Sequence, residues 1–198
     1  FIFHSLGSQI FNMIENQLIK GEIVAALLAV EKDFENCRFV SCDLSEKEIS
    51  GVSFSNCEFS SCNLSMARMN KTSFHSVIFN DCKMLGLYFD QCNPFGLTVA
   101  FNNCILNHSS FYKTKLKGIG FLNCQLIETD FTQTDLSSGS FSGSNLSGAH
   151  FEQSNLEKCD FRMAIHYSIN PTMNRIKKAR FSTEDIHGLL SCFDLSIE

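Results

Sequence analysis

The chain has 198 residues, a formal net charge of −5, 20 Phe, 10 Cys, 2 Pro and no Trp. That length points to one domain. No run of 18 uncharged apolar residues occurs, so no membrane-spanning helix is predicted, and the acidic balance argues against direct nucleic-acid binding.

Residues 8–30 read as helix. Ser8 is a candidate cap, Ile10, Phe11, Ile14 and Leu18 share a face, and Gly21 ends the first segment before a second one at Glu22 to Val30. The bland role is a plug over the end of the fold; the functional alternative is a partner-binding or membrane-surface helix. The chain starts at Phe1 without Met, so a short N-terminal piece is expected to be missing or foreign. Ile23 to Val30 lacks the charged start and cleavage site of a signal peptide and reads as structure.

From Phe34 a large apolar residue recurs every five positions up to Phe89, with Phe, Leu, Ile and Met mixed. From Phe101 to Phe161 the same spacing holds with Phe and Leu alternating at every step. A period of five fits neither a helix nor a strand. It fits a chain that turns a corner every five residues, with one large and one small side chain pointing inward each time. Four corners close a coil of about 20 residues, which stacks on the next as parallel strands do, ~4.8 Å apart. Phe101, Phe121, Phe141 and Phe161 then form one column, and Phe111, Phe131 and Phe151 the opposite one. Of the 20 Phe, 14 hold the large inward position.

Nine of the ten Cys (Cys37, Cys42, Cys57, Cys62, Cys82, Cys92, Cys104, Cys124 and Cys159) fall two residues before a central position of the repeat, where a small side chain is needed. Free Cys behaves as a small hydrophobe. The favoured reading is reduced core thiols and a cytoplasmic location, with metal or disulfide ligation as the alternative.

Between Phe89 and Phe101 there are two extra residues, and Pro94 falls where a large inward residue belongs. Asn93-Pro94 and Gly96 mark a turn. The corner is expected to bulge, with Phe95 tucked back or exposed, as a structural feature or a partner contact through Pro94 and Phe95. After Phe161 the pattern fades, though His166, Pro171, Ile176 and Phe181 keep the spacing. Arg175, Lys177, Lys178 and Arg180 read as a solvated basic face. Ser182 is a candidate cap for a C-terminal helix with Ile186, Leu189, Leu190 and Phe193 on one stripe, and the tail through Leu195 and Ile197 alternates like an edge strand. Helix and tail are expected to close the coil and to join two chains, the alternative being that they fold back and cap a monomer.

The sequence offers no phosphate loop, zinc-binding helix or Cys-x-x-Cys pair, so no enzyme, cofactor or metal is expected. Asp130 and Asp135, on successive walls, read as turn residues.

Repeats such as Ala149-His150-Phe151-Glu152-Gln153 and Ser154-Asn155-Leu156-Glu157-Lys158 resemble the pentapeptide repeat family over about two thirds of the chain. The resemblance implies an all-β solenoid, a right-handed quadrilateral β-helix of about six regular coils, with a helical segment at 1–31, repeats at 32–165 broken at 90–100, and an irregular coil and helix cap at 166–198. Within that family, Qnr-type and mycobacterial fluoroquinolone-resistance proteins resemble B-DNA and bind DNA gyrase or topoisomerase IV, and Qnr-type proteins dimerise through their C-terminal ends. The resemblance therefore implies a non-enzymatic binding protein, a DNA mimic acting on a type II topoisomerase. Residues 34–161 carry 13 acidic and 9 basic side chains, and Glu128, Asp130, Asp135, Glu152, Glu157 and Asp160 would carry the mimicry. Cys92-Asn93-Pro94-Phe95-Gly96 and Asn174 to Ser182 are similar to a group of bacterial pentapeptide proteins from which no activity carries over. The second reading is a scaffold with an unknown protein partner.

Overall fold

In the computed structural model, residues 13–21, 23–193 and 195 are described, Ile23 and Ala25 by their backbone only. The chain is an all-parallel β-solenoid with four walls and very little helix. Wall one carries a four-stranded sheet of β1 (Met13–Glu15), β3 (Asp33–Glu35), β5 (Ser53–Ser55) and β7 (Ser73–His75). Wall two carries six strands: β2 (Leu18–Lys20), β4 (Arg38–Val40), β6 (Glu58–Ser60), β8 (Val77–Asn80), β9 (Val99–Asn102) and β10 (Phe121–Leu122). Walls three and four are joined by single bridges, such as Ile105 to Gln125 and Asp130 to His150.

The register is 20 residues, as in Phe34 opposite Phe54 and Phe101 opposite Phe121, except across the frame break, where Phe79 lies opposite Phe101. All 14 in-frame Phe are at most 2% exposed. Rings stack along a column and meet edge to face between columns: Phe111 and Phe131 are 5.3 Å apart and 8° from parallel, while Phe121 and Phe131 are 5.5 Å apart and tilted by 74°. Both geometries suit the ring quadrupole. Before the break the aromatic columns occupy neighbouring walls one and two, where Phe34 and Phe39 meet at 5.6 Å. After it they occupy opposite walls two and four. Phe89 begins the new column and stacks on Phe111 at 4.5 Å.

The small inward residue does more than save space. Its thiol or hydroxyl donates to the carbonyl of a large inward residue in the coil before. Cys62 bonds Phe39 O at 3.4 Å, Thr72 bonds Ile49 O at 2.8 Å, and Ser154 bonds Phe131 O at 2.6 Å. The Ile49 and Phe131 carbonyls also accept the amides of Val52 and Thr134 at 3.2 and 3.1 Å, so the side-chain bond is a second one, worth about 1 kcal/mol net, and Ser, Thr and Cys tie coils together where Ala would only fill the space. All nine in-frame Cys are free and buried.

Two expectations at the ends need correction. Met13–Glu15 and Leu18–Lys20 are strands and not helix, because Ile14 and Ile19 lie opposite Phe34 and Phe39 and continue their columns. Leu18, assigned to the helix face, is exposed. Ser8, Ile10 and Phe11 lie outside the described residues. Among the described residues of that stretch, Ile23–Val30 alone is helical (α1), and its Val24 and Leu28 are buried in the core. No helix among the described residues is long and apolar enough to cross a membrane.

At the other end, Ile176 packs against the core and Phe181 stacks on Phe161 at 5.1 Å, but His166 turns outward and Tyr167 fills its place. The C-terminal helix does not form as one element. Ile186–Leu189 and Ser191–Phe193 are separate 3-10 turns. Gly188 is the reason. It lies against Tyr167, where a Cβ would overlap the Tyr167 carbonyl, and its own carbonyl accepts the Ile169 amide at 2.9 Å. Ser182 does not cap a helix: its hydroxyl accepts the Met163 amide at 3.2 Å.

Candidate functional site

Wall one is interrupted at the frame break. Asn93 still donates its amide to Thr72 O at 2.9 Å, as a regular coil requires. Pro94, next in line, cannot fill the wall and faces solvent. The chain loops out through Phe95 and Gly96 and returns at Leu97, which is buried in the place that Pro94 leaves. Thr98 N closes the loop on Phe74 O at 3.0 Å, and Gly96 O is held by the Thr98 hydroxyl at 2.7 Å and by His75 Nδ1 at 3.2 Å. Phe95 ends 86% exposed at the tip.

The detour lifts the coil above. Between residues 89–97 and residues 112–115 lies a groove of about 390 Å³. Phe89, Cys92, Leu97, Tyr112 and Thr114 line it, Pro94 and Phe95 stand on one side, and Asp90, Lys113 and Lys115 supply the charge. Thr114 shows the disturbance. Its hydroxyl turns to Phe111 O at 2.6 Å within its own coil, where Thr134, one coil on, reaches back 23 residues to the same carbonyl at 2.7 Å. The Lys113 ammonium lies 4.7 Å from the centre of the Tyr112 ring, a cation–π contact.

The acidic candidates are spread over three walls. Asp130 and Glu152 lie on wall four, Asp135 and Glu157 on wall one, and Asp160 on wall two, with Glu128 at the corner before wall four. Most are engaged. Asp130 and Asp135 accept the amides of Thr132 and Ser137 at 2.8 and 3.0 Å, the turn role expected of them. Asp160 meets Arg162 at 2.7 Å and Arg180 at 3.3 Å, and the Arg162 hydrogen bond holds its carboxyl below the usual range. Glu157 pairs with Arg175 at 3.0 Å, Glu128 approaches His108 at 3.2 Å, and Glu152 approaches His150 at 3.9 Å. The sequence reading took Arg175 and Arg180 as part of a solvated basic face and missed that, one coil on, they reach Glu157 and Asp160.

Of the C-terminal candidates, Ile186, Phe193 and Leu195 are exposed by 44%, 46% and 59%, Leu190 is half-buried, and Leu189 packs against the core. Ile197 lies outside the described residues.

A family model, the pentapeptide repeat region, matches residues 32–95 and 97–168. The chain belongs to the pentapeptide repeat family. The two matched segments meet at the frame break. Among solved structures it is similar to QnrB1, a plasmid-mediated fluoroquinolone resistance protein, with 20% identity over 94% of this chain and 98% of that one and a TM-score of 0.49. It is also similar to HetL, a pentapeptide repeat protein involved in heterocyst differentiation regulation from the cyanobacterium Nostoc, with 18% identity, coverage of 88% and 90%, and a TM-score of 0.43. No curated protein matches in sequence.

Proposed function

We propose that the chain is a non-enzymatic binding protein that presents the frame break of a rigid coil to a protein partner. The observation that carries this is Phe95, 86% exposed beside an apolar groove on an otherwise regular solenoid. A large aromatic side chain held in water at the tip of a loop on a rigid scaffold is what a protein contact uses. Topoisomerase binding by DNA mimicry is the weaker form of the reading, since the carboxylates it needs lie on three walls and Glu157 and Asp160 are neutralised by Arg. A homodimer through the C-terminal end belongs to the same reading, supported by the exposure of Ile186, Phe193 and Leu195. Buried free thiols support a reducing, cytoplasmic setting.

A photo-crosslinking residue in place of Phe95, with one in place of Gln125 on wall three as control, tests the reading in lysate of the native host. One defined adduct specific to position 95 supports it, and identical patterns from both positions contradict it. A gyrase supercoiling assay with and without fluoroquinolone tests the mimic.

A further inference from the structure

The amide of Lys115 sits at the upper edge of the groove. In regular coils the residue before the large inward position donates its N–H to the coil below. Directly above Lys115 on wall one, Asp135 donates to Thr114 O at 3.0 Å, Asn155 to Thr134 O at 2.9 Å and Arg175 to Ser154 O at 3.0 Å. Lys115 would donate to the segment that loops away, and among the described residues its amide has no acceptor. Wall one is thus an open strand edge at this rung, inside a molecule that pairs its coils on both sides of it. Unpaired edges of this kind take up an added strand.

The surroundings say which strand. Lys113, Lys115 and Lys117 alternate along the edge, all exposed, and among the described residues none of them forms an ion pair. The acidic groups nearby are Asp90 in the groove and Asp135 on the rung above, whose carboxylate is engaged by the Ser137 amide and the Asn155 side chain. The edge is therefore locally basic on a protein of net charge −5. Below it the groove is lined by Phe89, Leu97 and Tyr112, and a smaller pocket of about 80 Å³ continues it past Leu97 along residues 115–119.

We propose that this slot binds an extended peptide segment of a partner protein in which acidic and apolar residues alternate. The proposal rests on the protein-binding reading above and names the chemistry of the partner. A strand puts successive side chains on opposite faces. Carboxylates on one face meet Lys113 and Lys117, an apolar side chain on the other enters the groove beside Leu97 and Tyr112, and a peptide carbonyl accepts the Lys115 amide. Phe95 covers the bound segment from the side.

The test is fluorescence anisotropy on the full chain with three labelled probes: Glu-Leu-Glu-Phe-Glu, Lys-Leu-Lys-Phe-Lys and a thymidine oligonucleotide. The acidic peptide alone should bind. Lys113→Glu with Lys115→Glu should weaken it about tenfold or more, since like charges then face its carboxylates. Deleting Pro94 and Phe95 with Gly96→Leu restores the five-residue frame, closes the slot and should abolish binding. No binding of the acidic peptide, equal binding of the basic peptide or the oligonucleotide, or acidic binding that survives the lysine changes overturns the proposal. A crosslink from position 95 without peptide binding overturns the peptide chemistry and leaves the protein-binding reading standing; no crosslink overturns that reading itself.

Discussion

Thr134 donates its hydroxyl to the carbonyl of Phe111, 23 residues earlier, at 2.7 Å, and Ser154 repeats the bond to Phe131 at 2.6 Å. These bonds fasten each coil to the one before it from inside the core. Thr134→Val keeps the volume and removes the donor. It should cost about 1 kcal/mol in urea unfolding, the net worth of one hydrogen bond. A neutral result would mean that size alone governs the position.

The Phe columns set the second expectation. Phe131 stacks on Phe111 and Phe151 and meets Phe121 and Phe141 edge to face. Phe131→Ala should cost ~3–5 kcal/mol as a buried cavity, and Phe131→Leu much less. Equal losses in urea midpoint for the two variants would contradict the column packing.

The thiols set the third. Burial pushes Cys92 and Cys159 up to about 12 from an ordinary 9.0, and Cys57 to about 11. The folded chain therefore holds protons that the unfolded chain releases above pH 9. This part of the stability is full below pH 9 and falls as pH rises toward 12. Urea midpoints measured from pH 8 to 10.5 should decline, and replacing Cys92 and Cys159 with Ser or Val should flatten the decline. In native protein a thiol reagent should label Cys192, which is exposed, well before the nine buried Cys.

Gly188 sets the fourth. Gly188→Ala drives a Cβ into Tyr167 and should loosen the C-terminal turns without unfolding the coil. Limited proteolysis should then cut within residues 183–195 faster than in the parent chain while the core resists. Unchanged cleavage would contradict the seat assigned to Gly188.

The period of five and the 20-residue register were legible because every large inward residue repeats the same contact, so Phe101 predicts Phe121 without any knowledge of turns. The N-terminal strands were hidden because Ile14 and Leu18 also match a helical spacing; the decisive signal, Ile14 and Ile19 lying 20 before Phe34 and Phe39, needs the coil length to be applied backwards. The C-terminal stripe misled because apolar spacing outweighed Gly188, a poor helix residue in the middle of it. The left-handed corner that follows most large inward residues by two positions went unread. Asn36, Asn56, Asn103 and Asn123 occupy it at φ between 51° and 55°, and Gly118 at 77°; Asn and Gly tolerate that region best, and their recurrence in one phase was the available sign. The groove could be located from the two extra residues, but not its open amide. Which amide loses its acceptor depends on where the chain leaves wall one, and that is fixed by Leu97 taking the place of Pro94.

The central claim is that the frame break is a built contact site and not a requirement of the fold. Its most direct test is the urea stability of the chain lacking Pro94 and Phe95 and carrying Gly96→Leu. The restored frame gives Lys115 an acceptor and wall one a continuous Leu column, so the account predicts a midpoint at or above that of the parent chain. A midpoint well below it, with the fold otherwise retained, would show that the two residues serve the coil itself and would contradict the account.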